Sequence, residues 1–222
     1  MAEPRRSRWG VGLAVAVLVV AGWAAARGGH GTESTAPREP GESAAPTATS
    51  TPGERPTPNN QDPSRYAPQV IKYAKQAEIN PQLLMAILYN ESYKPHDPAW
   101  ERAWQRIKPD AAFGIANMHK AAFDETKQGR DFADRDWQQL PDDPALAVEA
   151  AAWYLHDLAR QLPAERSSRY TEDDLLALGY NTGPGNMAAF ARGAKPGAAA
   201  QSYLDQLHSN WSVAARALHG AG

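Results

Sequence analysis

From residue 64 onward, apolar residues recur every three or four positions and alternating strand patterns are absent. This spacing predicts helices over Pro68–Ala77, from Pro81 through Tyr89 and beyond, and over Ala145–Leu162, Leu175–Tyr180 and Gln201–Leu218. β-Branched residues, which favour strands, are few in this part of the chain. The pattern therefore predicts a compact, mainly α-helical domain over residues 64–222.

Capping residues predict where three of these helices begin. Asn80 and Asp143 each precede a proline, which suits the first helical position, and each side chain can accept a hydrogen bond from the first turn. Thr171 is followed three residues later by Asp174, which resembles a capping box.

The first 26 residues follow a different pattern. Three arginines lie within the first eight residues, and residues 9–26 form an uncharged run. As a helix this run would be about 27 Å long, close to the thickness of a bilayer core. The basic flank predicts a signal anchor with its N-terminus in the cytoplasm. A signal peptide cleaved near Ala26 is the alternative. Either way we expect export, with the helical domain anchored outside the membrane or secreted.

Residues 27–63 are rich in Pro, Gly, Ser, Thr and Glu and have no apolar periodicity. Such a segment cannot bury enough apolar surface to offset the entropy of ordering, so we predict a disordered linker. In an extended conformation it would reach on the order of 100 Å. The predicted organisation is therefore a membrane or signal segment over 1–26, a linker over 27–63 and one domain over 64–222.

Composition and charge exclude several kinds of function. The chain has no cysteine, which excludes disulfides, thiolate metal sites and a cysteine nucleophile. The net charge of −2 argues against nucleic acid as a partner, since nucleic-acid binders usually carry a basic face. The six histidines show no metal-ligand spacing, and no phosphate-binding loop is present. We expect no cofactor, no metal and a monomer.

Glu91 is the first candidate for chemistry. Leu84, Ile87, Leu88 and Glu91 share one helix face, so the glutamate extends an apolar stripe at the helix C-terminus. Burial and the negative end of the helix dipole are both expected to raise its pKa, as a general acid requires. In the alternative interpretation Glu91 turns to solvent or pairs with Lys94.

Two polar clusters follow. Residues 111–118 are predicted to form a turn between helices, with Gly114 allowing close backbone approach and Asn117 offering a donor and an acceptor. Tyr180 and Asn181 carry a phenol and an amide at a helix end, which the glycine at position 183 is expected to terminate. Each cluster taken alone is also compatible with an ordinary turn.

The order of these elements resembles a known family, the soluble-lytic-transglycosylase (SLT) domain, over about residues 66–194. The similar segments are Glu91-Ser92 at a helix end, Gly-Ile-Ala-Asn-Met at 114–118, a helix opened by Asp-Pro and ending Trp-Tyr-Leu-His-Asp-Leu at 153–158, and Gly-Tyr-Asn-Thr-Gly-Pro-Gly at 179–185. The resemblance implies a lysozyme-like fold, shared with goose-type lysozymes, and peptidoglycan glycan strands as the partner.

The resemblance also implies roles for single residues. Glu91 matches the catalytic acid/base, which protonates the bond between N-acetylmuramic acid and N-acetylglucosamine and then deprotonates the muramoyl 6-hydroxyl to close a 1,6-anhydro ring. Tyr180 matches the tyrosine near that glutamate. Substrate-binding positions are implied for Ser92, Phe113, Gly114, Asn117, Met118 and Asn181.

This chain departs from the family pattern in two ways. Where the family usually has Gly-Leu-Met-Gln, residues 114–117 are Gly-Ile-Ala-Asn, which shortens the last side chain by one methylene. The family's serine shortly before that glycine is missing. Two alternatives therefore stay open: a hydrolytic muramidase that uses Asp97 or Asp110 as a second carboxylate, and a non-catalytic wall-binding module. Asp97 and Asp110 adjoin prolines in predicted loops, where a solvated turn residue is expected.

The domain also contains five tryptophans that could stack on sugar rings. A small domain is expected to bury most of them in its core. They are Trp100, Trp104, Trp137, Trp153 and Trp211.

Overall fold

The computed structural model describes residues 62–92, 96–108 and 111–221, and this part of the chain is mainly helical. A short 3-10 helix at Pro63–Tyr66 leads into the first α-helix, and another lies at Trp137–Gln139. The α-helices are α1 (Ala67–Gln76), α2 (Pro81–Glu91), α3 (Pro98–Ile107), α4 (Lys120–Thr126), α5 (Pro144–Arg160), α6 (Glu172–Thr182), α7 (Pro184–Ala191) and α8 (Ala198–His219). Within the described ranges, extended pairing is limited to one isolated bridge between Phe113 and Met118.

The predicted helix starts are confirmed. The Asn80 side chain accepts a hydrogen bond from the Gln82 amide at 2.9 Å and caps α2. Asp143 caps α5, and Thr171 forms the capping box with Asp174 at the start of α6. These local signals therefore determine where three of the longer helices begin.

Helix α2 lies at the centre of the domain. It packs most extensively against α8 and also contacts α1 and α6, while α5 packs against α1, α4 and α6. All residues from Leu83 to Leu88 are buried, so α2 is covered on every side rather than along one stripe. Glu91 therefore extends from a helix that is enclosed by the core.

The expectation that most tryptophans are buried is wrong for α3. Trp137 is buried, and Trp153 and Trp211 are half-buried against the core. Trp100 and Trp104 are 46% and 42% exposed, and their rings stack on each other with centroids 5.8 Å apart. They lie four residues apart on α3, a helix that places only Glu101 among the buried residues.

Helices α3 and α4 were not expected from apolar spacing. Asp97 caps α3 by accepting a hydrogen bond from the Trp100 amide at 2.8 Å, so this carboxylate has the role of an exposed capping residue. Asp110 and Lys94 lie outside the described residues. Helix α6 ends before Gly183, as predicted, and α7 begins directly after it.

No helix in the described ranges is long and apolar enough to cross a membrane. The predicted signal or anchor segment over 1–26 lies outside the described residues, as does the predicted linker apart from its last two positions. Both stay predictions.

Candidate active site

The Glu91 carboxylate is held by donors from two distant parts of the chain. Glu91 is the last residue of α2 and is 8% exposed, so it does not turn to solvent. Its Oε2 accepts a hydrogen bond from the Asn117 side-chain amide at 2.8 Å. Its Oε1 accepts a hydrogen bond from the Tyr203 hydroxyl at 3.0 Å. The fold thus brings a turn and helix α8 to the end of α2.

Asn117 reaches Glu91 from a tight turn over residues 113–118. Phe113 and Met118 exchange two backbone hydrogen bonds. The backbone N–H of Asn117 donates to the Gly114 carbonyl at 2.8 Å. Gly114 has a φ of +69°, and a Cβ there would lie 2.8 Å from the Leu140 carbonyl oxygen. A glycine is therefore required both by the backbone conformation and by the available space.

Tyr180 supports the same turn from α6. Its hydroxyl donates a hydrogen bond to the Ala116 carbonyl at 2.7 Å, and its ring meets the ring of Tyr154 edge-on. Burial raises the pKa of Tyr180 well above its ordinary value of 10.0, and the negative charge of Glu91 raises it further. The phenol therefore stays protonated and keeps donating at neutral pH.

Tyr203, on α8, is the site residue that the sequence did not reveal. Its pKa is raised well above 10.0, first by burial and then by the charge of Glu91. Its carbonyl accepts a hydrogen bond from the side chain of buried Asn90, which in turn accepts one from Asn210. In the sequence Tyr203 is one apolar member of an amphipathic helix, and no local signal separates it from the leucines around it.

The family profile of the transglycosylase SLT domain matches residues 68–202. The chain belongs to this family. Searches of curated proteins and of solved structures gave no match. Membership in the SLT family indicates glycan cleavage of the lytic-transglycosylase type, with peptidoglycan as the substrate. The mainly helical architecture is consistent with the lysozyme-like fold of SLT domains.

The match to the SLT domain includes Glu91, the 113–118 turn and Tyr180, and it ends one residue before Tyr203. Three of the positions that the SLT resemblance implied are therefore joined in one hydrogen-bonded group, since Tyr180 holds the turn that carries Asn117 to Glu91. Asn117 is half-buried, and its side-chain amide hydrogen-bonds the glutamate.

The SLT resemblance implied that Phe113 and Met118 bind substrate, but the structure places both in the core. They are 1% and 2% exposed, so their side chains offer no surface to a saccharide. The Phe113 ring stacks on Trp137 with centroids 4.3 Å apart, and the Trp137 indole N–H donates to the Met118 carbonyl at 2.8 Å. Both residues support the turn from within the core.

Ser92 and Asn181 are half-buried at the ends of α2 and α6. The Ser92 hydroxyl donates to the Tyr89 carbonyl at 2.8 Å and caps the end of α2. The Asn181 side chain has no hydrogen-bond partner among the described residues of the SLT domain. The residues that the structure describes contain no cluster of three or more His, Asp or Glu that could hold a metal ion.

Proposed function

We propose that this chain is a peptidoglycan lytic transglycosylase. It cleaves the β-1,4 bond between N-acetylmuramic acid and N-acetylglucosamine and forms a 1,6-anhydromuramoyl product, with Glu91 as the acid/base. The observation that supports this best is the Glu91 carboxylate, buried at the end of α2 with each oxygen held by a separate donor.

In the first step protonated Glu91 gives its proton to the glycosidic oxygen, and the bond from that oxygen to C1 of the muramoyl sugar breaks. An amide nitrogen can only donate, whereas a phenol oxygen can both donate and accept. Oε2 therefore accepts from Asn117 in both protonation states, and Oε1 beside Tyr203 is the better position for the transferable proton. N-acetylglucosamine leaves with a free 4-hydroxyl.

In the second step the Glu91 carboxylate takes the proton of the muramoyl 6-hydroxyl, and that oxygen bonds to C1 to close the anhydro ring. The proton returns to Glu91, so one carboxylate completes the cycle without water. Hydrolytic glycosidases normally need a second carboxylate to activate water or to act as a nucleophile. Asp97 is exposed, and its carboxylate caps α3 by accepting a hydrogen bond from the Trp100 amide. Both features disfavour it as the second carboxylate.

The decisive experiment uses purified peptidoglycan and identifies the products by mass spectrometry. We expect wild type to release muropeptides with anhydro ends, each one water lighter than a reducing end, and Glu91→Gln to release none. Glu165→Gln, which changes an exposed glutamate, is the matched control and should keep full activity.

The products also separate the alternatives. Reducing ends from wild type would identify a hydrolytic muramidase instead. Binding to the wall without any product would indicate a non-catalytic module. Full activity of Glu91→Gln would exclude the acid/base role.

We further propose that the domain acts outside the cytoplasmic membrane. The segment over residues 1–26 either anchors it there or is removed by cleavage, which releases the domain. The arginine flank and the uncharged run support this. Cell fractionation with intact-mass measurement tests it, because cleavage removes about 26 residues. Recovery of the full-length chain in the cytoplasm would contradict the proposal.

A further inference from the structure

Glu101 on α3 is a buried carboxylate that the reaction described above does not use. It is 6% exposed. Its Oε2 accepts a hydrogen bond from the Gly114 amide at 2.9 Å, and its Oε1 lies 3.0 Å from His96 Nδ1. Burying a carboxylate is unfavourable unless hydrogen bonds compensate, and these two partners offset that cost.

His96 continues this chain of contacts back to the candidate catalytic residue. Its Nε2 lies 3.3 Å from the Glu91 carbonyl oxygen, one of the carbonyls at the end of α2 that lack a partner within the helix. Facing a carbonyl, Nε2 must carry a proton and donate. The hydrogen bond between Nδ1 and Glu101 then carries one further proton, on either the ring or the carboxyl group.

These contacts form a closed ring on one side of Glu91. Starting at the Glu91 carboxylate, the ring runs through the side chain of Asn117, the turn to Gly114, then Glu101 and His96, and returns to the Glu91 carbonyl. One side of Glu91 is thus linked to its own backbone through four other residues.

Helix α3 itself indicates that Glu101 is more than a packing residue. Glu101 is the one buried residue of α3, while Trp100, Trp104 and Ile107 are exposed. Apolar burial therefore contributes little to attaching this helix. Polar contacts join it to the rest of the domain: the buried Glu101 carboxylate accepts from Gly114, and Arg102 forms an exposed ion pair with Asp142.

We propose that Glu101 and His96 are positioning residues for the transglycosylase reaction. They hold the 113–118 turn against the end of α2, so that the Asn117 amide stays within hydrogen-bond distance of the Glu91 carboxylate. They act through Asn117 and Glu91 and do not touch the substrate. This inference rests on the function proposed above.

A double-mutant cycle on the full-length protein tests the inference. We expect Glu101→Ala to lower kcat about tenfold or more with KM changed less than twofold, because one hydrogen bond to a charged group contributes about that much. Glu101→Gln, which can still accept from Gly114, should recover most of kcat. In an Asn117→Ala background, Glu101→Ala should cause little further loss, since coupled residues are not additive.

Arg102→Ala is the matched control. It removes the exposed ion pair between α3 and Asp142, which does not touch the 113–118 turn, and should leave kcat unchanged. Additive losses in the cycle, a change confined to KM, or an equal loss in Arg102→Ala would overturn the positioning role.

A second measurement separates this inference from the proposed function. Hydrogen exchange of the Gly114 amide, followed by NMR, should accelerate in Glu101→Ala while amides in the middle of α2 keep their protection. If wild type had no activity, the proposed function would fail, but this measurement could still detect whether Glu101 holds the 113–118 turn. Unchanged Gly114 exchange would contradict that role of Glu101 whether or not the protein is active.

Discussion

At the scale of single residues, the candidate site depends on one glutamate whose two oxygens have chemically different partners. Asn117 offers Oε2 an amide nitrogen, which can only donate, and Tyr203 offers Oε1 a hydroxyl, which can either donate or accept. In the proposed reaction Glu91 must lose a proton and regain it. The difference between its partners makes Oε1 the better oxygen for this exchange.

Tyr203→Phe tests the importance of that hydroxyl. The variant removes the donor to Glu91 Oε1 and keeps the ring, so we expect kcat to fall about tenfold or more with little change in KM. Steady-state kinetics on soluble glycan strands is the measurement. Tyr170→Phe removes a half-buried phenol with no hydrogen bond to Glu91 and is the matched control. Equal rates in the two variants would argue against a role for Tyr203.

At the scale of elements, the short turn over residues 113–118 is as important to the site as any helix, because it places Asn117 beside Glu91. It has no apolar periodicity of its own, and its position comes from Trp137, Tyr180 and Glu101, which hydrogen-bond its backbone from three other elements. Its glycine is required by both conformation and space.

Two glycines of the chain allow these two requirements to be separated. Gly114 and Gly129 have similar φ values of +69° and +70°, but a Cβ at Gly129 would have no atom within 4 Å. Gly129→Ala should lower the free energy of unfolding by about 1 kcal/mol, the cost of a left-handed residue. Gly114→Ala should cost clearly more, because its Cβ also meets Leu140. Urea unfolding measures both, and equal losses would mean that the contact with Leu140 relaxes freely.

At the scale of the whole molecule, the last helix completes a site that begins near the start of the domain. Glu91 and Tyr203 are 112 residues apart in sequence, and they meet because α8 packs along α2. Helix packing elsewhere in the domain also buries phenols, such as those of Tyr154 and Tyr180, and buried phenols make the domain less stable at alkaline pH.

Tyr154 provides the clearest prediction of that dependence. Burial raises its pKa from 10.0 to about 12 in the folded state, helped by the charges of Glu125 and Asp157. The unfolded chain therefore releases this proton first. The stabilisation is complete below pH 10 and is lost as the pH rises from about 10 to about 12, which amounts to about 2 to 3 kcal/mol. Urea unfolding at pH 8 and pH 11 should show a smaller drop in Tyr154→Phe than in wild type. An identical drop in both would contradict the shift.

Local patterns predicted much of the fold. Helix starts at Asn80, Asp143 and Thr171 depend on a side chain and the next few amides, so the sequence contains all the information they need. Helix α3 was not predicted, although Trp100, Trp104 and Ile107 recur at helical spacing. Such spacing indicates a helix but not whether its apolar face is buried, and in α3 this face is exposed. The expectation that Trp100 and Trp104 are buried was wrong for that reason.

For the candidate site, the sequence by itself determined that a glutamate extends an apolar stripe at a helix end and that a glycine turn follows it. These depend on residue type and on short-range spacing. Only the tertiary structure decided that Tyr203 and Asn117 bind the two oxygens of Glu91 and that Glu101 and His96 close a ring behind it. The physical reason is that a hydrogen bond between remote residues depends on how the helices pack, and neither composition nor periodicity records which side chains that packing brings within hydrogen-bond distance.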